Sequence, residues 1–208
     1  NAPDYTRTCT CSYQNQASLA LVHDPTAEMW TFNKLVLGSS PIRRMGLNLG
    51  APGDRRHDDG TLWLEYPIVG GPSPQLDVKI GSGTLEWYCG HSARMNGGNG
   101  PAWIGASGVR GIGSLSLGLP GKGRYTIRLH FAEPDAIKPG RRRFSVLVQG
   151  RVVLEDLDII RTAGRRRRTL VHEVTGVEIA DQLRLQLVPF AGSLPAVLSG
   201  IEVLAEEK

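Results

Sequence analysis

The chain has 208 residues, 26 of them glycine and 13 proline, with only 6% aromatic residues, so one large domain, or one domain with an appendage, rich in turns and poor in long helices, is expected. No apolar stretch reaches the roughly 18 residues of a membrane-crossing helix, so no membrane segment is expected. The net charge of +4 is unevenly placed: Arg141, Arg142 and Arg143 and the run 165–168 supply seven positive charges, each run following a glycine. Two solvated loops are the plain reading. A patch for an anionic polymer is the sharper one, but no aromatic residues interleave these arginines, so a base-stacking platform, and with it nucleic acid, is not expected.

In chain order, the opening NAPDYTRTCTCSY lacks the basic and apolar halves of a signal peptide, so either a signal has been removed or the chain begins within a longer protein. Cys9 and Cys11 lie two apart and would share one side of a strand, where a mutual bridge would be strained. Either could pair with Cys89 or with a cysteine outside this chain. No second cysteine or histidine pair stands at zinc spacing. Residues 1–60 read as an irregular N-terminal extension, or the end of a preceding domain, holding one strand over 16–23. The run DRRHDD, 54–59, is polar throughout and is expected to be exposed or paired.

From Thr61 the pattern becomes regular. Short strands are expected over 61–66, 76–80 and 83–87, between glycine and proline clusters. Strands with alternating faces follow over 112–119 and 124–133, where Tyr125, Ile127, Leu129 and Phe131 share one side and Thr126, Arg128 and His130 the other. Phe144, Val146 and Val148 repeat the alternation, as do Leu183, Leu185 and Leu187, and 198–204 closes the chain as a strand. One helical turn fits within 154–162, ended by Gly164. Evenly spaced short strands, each with one apolar face, predict an all-β fold: a jelly-roll-like β-sandwich of two antiparallel sheets over 61–208. There is no internal repeat.

Chemistry is sparse. There is no nucleophile elbow and no phosphate loop, and the glycine-rich GIGSLSLG lies inside a strand pattern, not before a helix. Asp58 with Asp59, and Asp156 with Asp158, are carboxylate pairs. Sequence neighbours rarely meet across a sugar bond as glycosidase carboxylates must. Asp156 and Asp158 are expected to organise a turn, with a structural calcium ion as the alternative. No enzyme activity and no cofactor are expected.

The segment 87–103, WYCGHSARMNGGNGPAW, suits binding. Aromatic rings stack on the CH faces of sugars, while Asn, Arg and His reach their hydroxyls. Glycines let a backbone approach a ligand closely. The plain alternative makes Trp87 and Trp103 core residues flanking a loop.

YTIRLHFAEPD (125–135), RRFSVLVQGRVVLEDLDIIRTAG (142–164) and LRLQLVPFAGSLPAVLSGIEV (183–203) together resemble malectin and malectin-like domains over about 83–204. The resemblance implies a jelly-roll-like sandwich that binds carbohydrate through loops at one end, without catalysis. The segments 8–23 and 45–74 are similar to the last strands and connecting segment of PQQ-type β-propeller proteins of planctomycete-like bacteria, which implies a bacterial source and a propeller partner lost by Cys9 or Cys11. Where malectin carries a sugar-binding Tyr-Phe pair this chain has Asp135 and Ala136. Met95 stands in place of a binding tyrosine and Ser193 in place of a binding aspartate. Glu133 matches the family motif in place, and its strand register suggests a buried carboxylate held by an arginine or by backbone.

The expected function is a non-catalytic carbohydrate-binding module of a larger extracellular or periplasmic protein. Trp87, Tyr88, His91, Arg94, Asn96, Asn99, Trp103 and Asp135 would bind an oligo- or polysaccharide. The rival is a structural or protein-interaction module that packs on the rest of its own chain or on a partner, with the aliphatic segment 62–74 as a docking surface.

Overall fold

The computed structural model describes residues 43–68, 76–81, 83–119 and 121–206, together with the backbone of four short strands upstream. Those four are β1 (Cys11–Ser12), β2 (Ser18–Leu19), β3 (Leu21–Asp24) and β4 (Met29–Phe32). β1 pairs with β2 and β3 with β4, so the strand expected over 16–23 is present in part, as pieces of two separate hairpin-like pairs. Cys9, and the pairing expected between it or Cys11 and Cys89, lie outside the described residues. Cys89 itself is a free, exposed thiol.

Two sheets build the body. One has six strands: β5 (Arg44–Leu49), β6 (Arg55–Arg56), β7 (Leu62–Tyr66), β12 (Gly123–Phe131), β15 (Leu170–Ile179) and β18 (Gly200–Ala205), in the order β15-β12-β18-β5-β7-β6. The other has five: β8 (Val78–Gly81), β11 (Ser114–Gly118), β13 (Phe144–Val148), β14 (Arg151–Leu157) and β16 (Gln182–Pro189), in the order β14-β13-β16-β11-β8. A three-stranded sheet of β9 (Glu86–Cys89), β10 (Ser107–Arg110) and β17 (Val197–Leu198) closes one end. Among the described residues the α-helices are short, α1 (Ala102–Gly105) and α2 (Ile159–Ala163). The all-β sandwich is thus as expected from the alternation. Among the described residues the strands named here pair antiparallel, except β5 with β7, which run parallel.

The alternation sets the packing. Tyr125, Ile127, Leu129 and Phe131 of β12 meet Leu115, Leu117, Val146, Val148, Leu183, Leu185 and Leu187 of the opposing sheet in one buried cluster. Each such aliphatic side chain contributes about 1.5–3 kcal/mol by leaving water. β13 turns into β14 through Gln149 and Gly150, both with positive φ (49° and 77°), the two-residue turn whose twist suits a hairpin. Gly164, at φ 84°, ends α2 where the sequence places its stop. The turn begins later than expected, because 151–157 continues as strand β14.

The sequence reading of 1–60 as irregular needs correction for its last part. Met45, Leu47 and Leu49 of β5 are buried core residues in a strand lying between β18 and β7. Gly46 belongs there because the Trp63 indole covers it, and a Cβ at that position would stand only 2.1 Å from the ring.

Candidate functional site

The loops joining β5 to β6 and β9 to α1 meet over one end of the six-stranded sheet. Between them lies a cleft of about 350 Å³, bordered by Asn48, Asp54, Arg55, His91, Trp103 and Ser107 among others. Trp103 projects from α1. Its indole is half-buried, its edge stands against Trp63 with centroids 5.6 Å apart, and the Arg55 guanidinium lies 4.8 Å above its face. That contact places a fork of N–H donors at the cleft without burying the charge. Asp54 is held by the Glu65 backbone N–H, 2.8 Å away. Ser107 donates to Asn48 Oδ1 at 3.0 Å, so two buried polar side chains satisfy each other at the cleft floor. His91 caps the 3₁₀ turn Ser92–Arg94 by accepting from Ala93 N at 3.1 Å through Nδ1, which leaves its other ring nitrogen on the exposed side.

Of the eight residues singled out in the sequence, His91 and Trp103 therefore share one cleft. The others are placed elsewhere. Arg94 sits exposed on the 3₁₀ turn. Asn96 Nδ2 donates to Arg166 O (3.1 Å). Asn99 donates to Val171 O (3.2 Å) and accepts from Val171 N (2.8 Å), so both asparagines fasten the loop to the segment 166–171. Trp87 lies beside Tyr66, centroids 5.9 Å apart.

Tyr88 and Asp135 belong to a charged cluster. The Tyr88 hydroxyl lies 3.4 Å from Ser199 Oγ, and burial pushes its pKa up to about 12. Arg110 stacks on the Tyr88 ring at 4.8 Å and grips Asp135 with two bonds, 2.9 and 2.7 Å. Arg142 bonds Asp135 at 2.9 Å, Pro195 O at 2.8 Å, and Glu133. The Arg110 fork, joined by Arg142, holds the Asp135 pKa down to about 2. Glu133 is buried, which raises its pKa, while Arg142 opposes that rise. Its carboxylate also accepts from Asp135 N at 2.9 Å. The arginine-held Glu133 expected from strand register is what the structure contains. Ser193, which the resemblance sets in place of a binding aspartate, accepts from Arg143 N at 2.6 Å through its hydroxyl.

The arginine runs are not two equivalent solvated loops. Arg142 is buried in the cluster above, and Arg143 pairs with Asp156 while lying 5.0 Å over the Phe190 ring. Asp158 caps α2 by accepting from Arg161 N at 3.0 Å, so Asp156 and Asp158 organise local structure as expected. Arg165, Arg166 and Arg168 are exposed.

Nothing in residue type or spacing marks Arg55, Asp54 or Asn48 for the cleft, or Arg110 and Arg142 for the cluster. Only the polar run DRRHDD, expected to be paired or exposed, contained a hint.

A probable receptor-like protein kinase of Arabidopsis thaliana is 36% identical over 92 residues, which are 38% of this chain and 11% of the relative. Among solved structures, β-glucuronidase 2 of Bacteroides uniformis superposes with a TM-score of 0.60 at 16% identity, over 79% of this chain and 18% of the enzyme. The ANXUR1 extracellular domain of Arabidopsis thaliana gives 0.61 at 19% identity, over 81% of this chain and 49% of that one. A chain from the complex of the plant peptide RALF23 with FER and LLG2 gives 0.57 at 18%, over 78% and 48%. At these identities the structures share the fold alone. The chain spans about a tenth of the kinase's length and about half of the plant ectodomains. The expected bacterial source finds no support in the plant kinase, and the matched family span does not reach the propeller-like segment. Over residues 113–188 this chain matches the Malectin domain, on a sandwich fold shared with plant receptor ectodomains.

Proposed function

We propose that this chain is a non-catalytic binding module of a larger extracytoplasmic protein, and that the cleft between residues 51–55 and 89–107 receives a saccharide unit. The supporting observation is the Trp103–Arg55 pair at the cleft. The indole presents apolar surface, and the guanidinium, Asp54 and His91 offer donors and acceptors to hydroxyls. Trp103 then acts mainly by positioning Arg55. Of the other residues singled out in the sequence, Asn96 and Asn99 shape the loops, Tyr88 and Asp135 belong to the charged cluster, and Arg94 and Trp87 have no part in the cleft. Asp135 stands where the resemblance puts part of malectin's sugar-binding pair, and its ties to Arg110 and Arg142 support a ligand other than a diglucose. We place the start of the module near residue 43, since β5 completes its larger sheet. No helix among the described residues is long and apolar enough to cross a membrane.

The test is calorimetric titration with neutral, acidic and sulfated glycans. Trp103→Ala and Arg55→Ala should each remove the class of sites that the cleft supplies, while Asn96→Ala leaves the titration unchanged. Silence across all three glycan classes refutes the reading.

A second reading, a protein-interaction module, is favoured by one feature. Val152, Val188 and Phe190 are 58%, 52% and 40% exposed, and the two valines share the outer face of the five-stranded sheet. The fold is also that of a chain in the RALF23 complex. Val188→Asp should abolish capture of a protein partner and leave glycan titrations unchanged.

A further inference from the structure

The outer face of β12 carries an unusual histidine. His130 points away from the sandwich core, the side where alternation predicts solvent, yet it is only 5% exposed. Neither ring nitrogen has a hydrogen-bond partner among the described residues. The Trp63 indole stands edge-on to the ring, centroids 5.0 Å apart. Above it passes the segment 99–101. The two bonds of Asn99 to Val171, and a bond of 3.1 Å from Gly100 N to Thr169 Oγ1, fix this segment in place. Gly100 suits so close a roof, since a Cβ there would meet Val171 Cγ2 at 2.5 Å and touch His130 Nδ1 at 3.4 Å.

Between roof and sheet lies a cavity of about 430 Å³, within the roughly 300–1,000 Å³ usual for small-molecule sites. Arg128 lines it, bonded to Glu173 at 2.6 Å and Glu202 at 3.2 Å. Glu202 is buried and also accepts the Thr61 hydroxyl at 2.7 Å. Asp59 completes the rim, 3.6 Å from Arg44.

The chemistry of these groups selects a ligand class. Burial first, and then the Arg128 and His57 charges, hold the His130 pKa at about 3, so the imidazole is neutral and offers one donor and one acceptor. A buried polar group left unpaired is costly, and a hydroxyl can satisfy either nitrogen. An ammonium could satisfy only the acceptor. The rim adds carboxylates, which accept from hydroxyls, and a guanidinium, which donates to them. Asp59, Glu173 and Glu202 already engage Arg128 and Arg44, so a carboxylate ligand would face three negative groups with no unshared cation among these.

We propose that the His130 cavity binds one neutral, polyhydroxylated sugar unit and rejects uronic acids. This extends the saccharide reading to a second cavity and does not depend on the cleft at Trp103.

The experiment is NMR of the ¹⁵N-histidine-labelled protein titrated with methyl glycosides of glucose, galactose, mannose and xylose, and with glucuronic acid. The neutral glycosides should include at least one that saturably shifts the His130 ring signals, while glucuronic acid binds at least about tenfold more weakly. His130→Phe should weaken the neutral sugar about tenfold, the loss of one or two buried hydrogen bonds. Glu202→Gln, which keeps an acceptor, serves if the phenylalanine variant fails to fold, and should weaken the sugar by several-fold. His91→Ala should leave the His130 response unchanged. A His130 ring silent to every neutral glycoside, or equal response to glucuronic acid, overturns the proposal. Binding that vanishes in His91→Ala while His130 stays silent overturns it and leaves the cleft reading standing. A His130 response that persists in His91→Ala and in Trp103→Ala supports the cavity as a site separate from the cleft.

Discussion

Replacing Glu133 with alanine should destabilise the fold and leave glycan affinity at the cleft unchanged. The Glu133 and Arg142 side chains are 1% and 3% exposed, so removing the carboxylate strands a guanidinium in a medium that solvates it poorly. Breaking a buried pair this way typically costs about 3–5 kcal/mol. Arg142 keeps Asp135 at 2.9 Å and Pro195 O at 2.8 Å, which puts the loss near the lower end, about 3 kcal/mol. The Asp135 N–H also loses its acceptor. For a domain of this size the melting temperature should fall by roughly 6–12 °C. Glu133→Gln keeps an acceptor and should fall less. The double change Glu133→Leu with Arg142→Met should recover much of the loss, since an apolar pair needs no counter-charge, and Asp135 still has the Arg110 fork. Scanning calorimetry gives the stabilities and titration calorimetry the affinity. A Glu133→Ala protein melting within about 1 °C of the parent refutes the reasoning. So does one with unaltered melting and lost sugar binding, which would make Glu133 a ligand-binding residue.

Two further outcomes follow from single contacts. His130 has its folded pKa at about 3, below the ordinary 6.5, so the unfolded chain takes up the proton first. Stability is therefore complete above about pH 6.5 and declines as the pH falls towards 3, by about 2 kcal/mol at pH 5. His130→Phe should flatten this part of the stability curve, measured by denaturant titration at several pH values, and equal slopes in both proteins would refute the assignment. Gly46→Ala should lower stability by about 1–3 kcal/mol by overpacking against Trp63, read by thermal melting with Trp fluorescence as the probe.

Much of the sandwich is legible in the sequence because burial on one face writes a period of two. Tyr125 to Phe131 shows it most clearly, in a strand with neighbours on both sides. β15 does not show it. An edge strand, it is partly exposed on both faces over much of its length, so Val171, Glu173 and Val174 follow no simple alternation. β5 does alternate, with Met45, Leu47 and Leu49 inward, but Pro41 on one side and Gly50, Pro52 and Gly53 on the other read as loop, and six residues between them carry too little weight. At the cleft, His91 and Trp103 are visible from residue type within one glycine-rich loop. Arg55 is not, because its partner Trp103 lies far along the chain and polar runs look alike whether they solvate or pair. His130 is hidden for a related reason: its position in the alternation says exposed, and only the roof formed by a separate loop buries it.

The placement of β5 beside β18 also bears on how the module responds to tension. Arg43 O accepts from Ala205 N at 2.7 Å, and Arg44 stands opposite Leu204 at the start of an antiparallel ladder. A pull applied through residues 43 and 205 therefore acts at one point and separates the two strands rung by rung, as a zipper opens. Loading all the rungs at once, in shear, would require attachment at opposite ends. Held by these two residues in a stretched chain, the module would yield at low force, and the first strand to leave would take the middle out of the larger sheet.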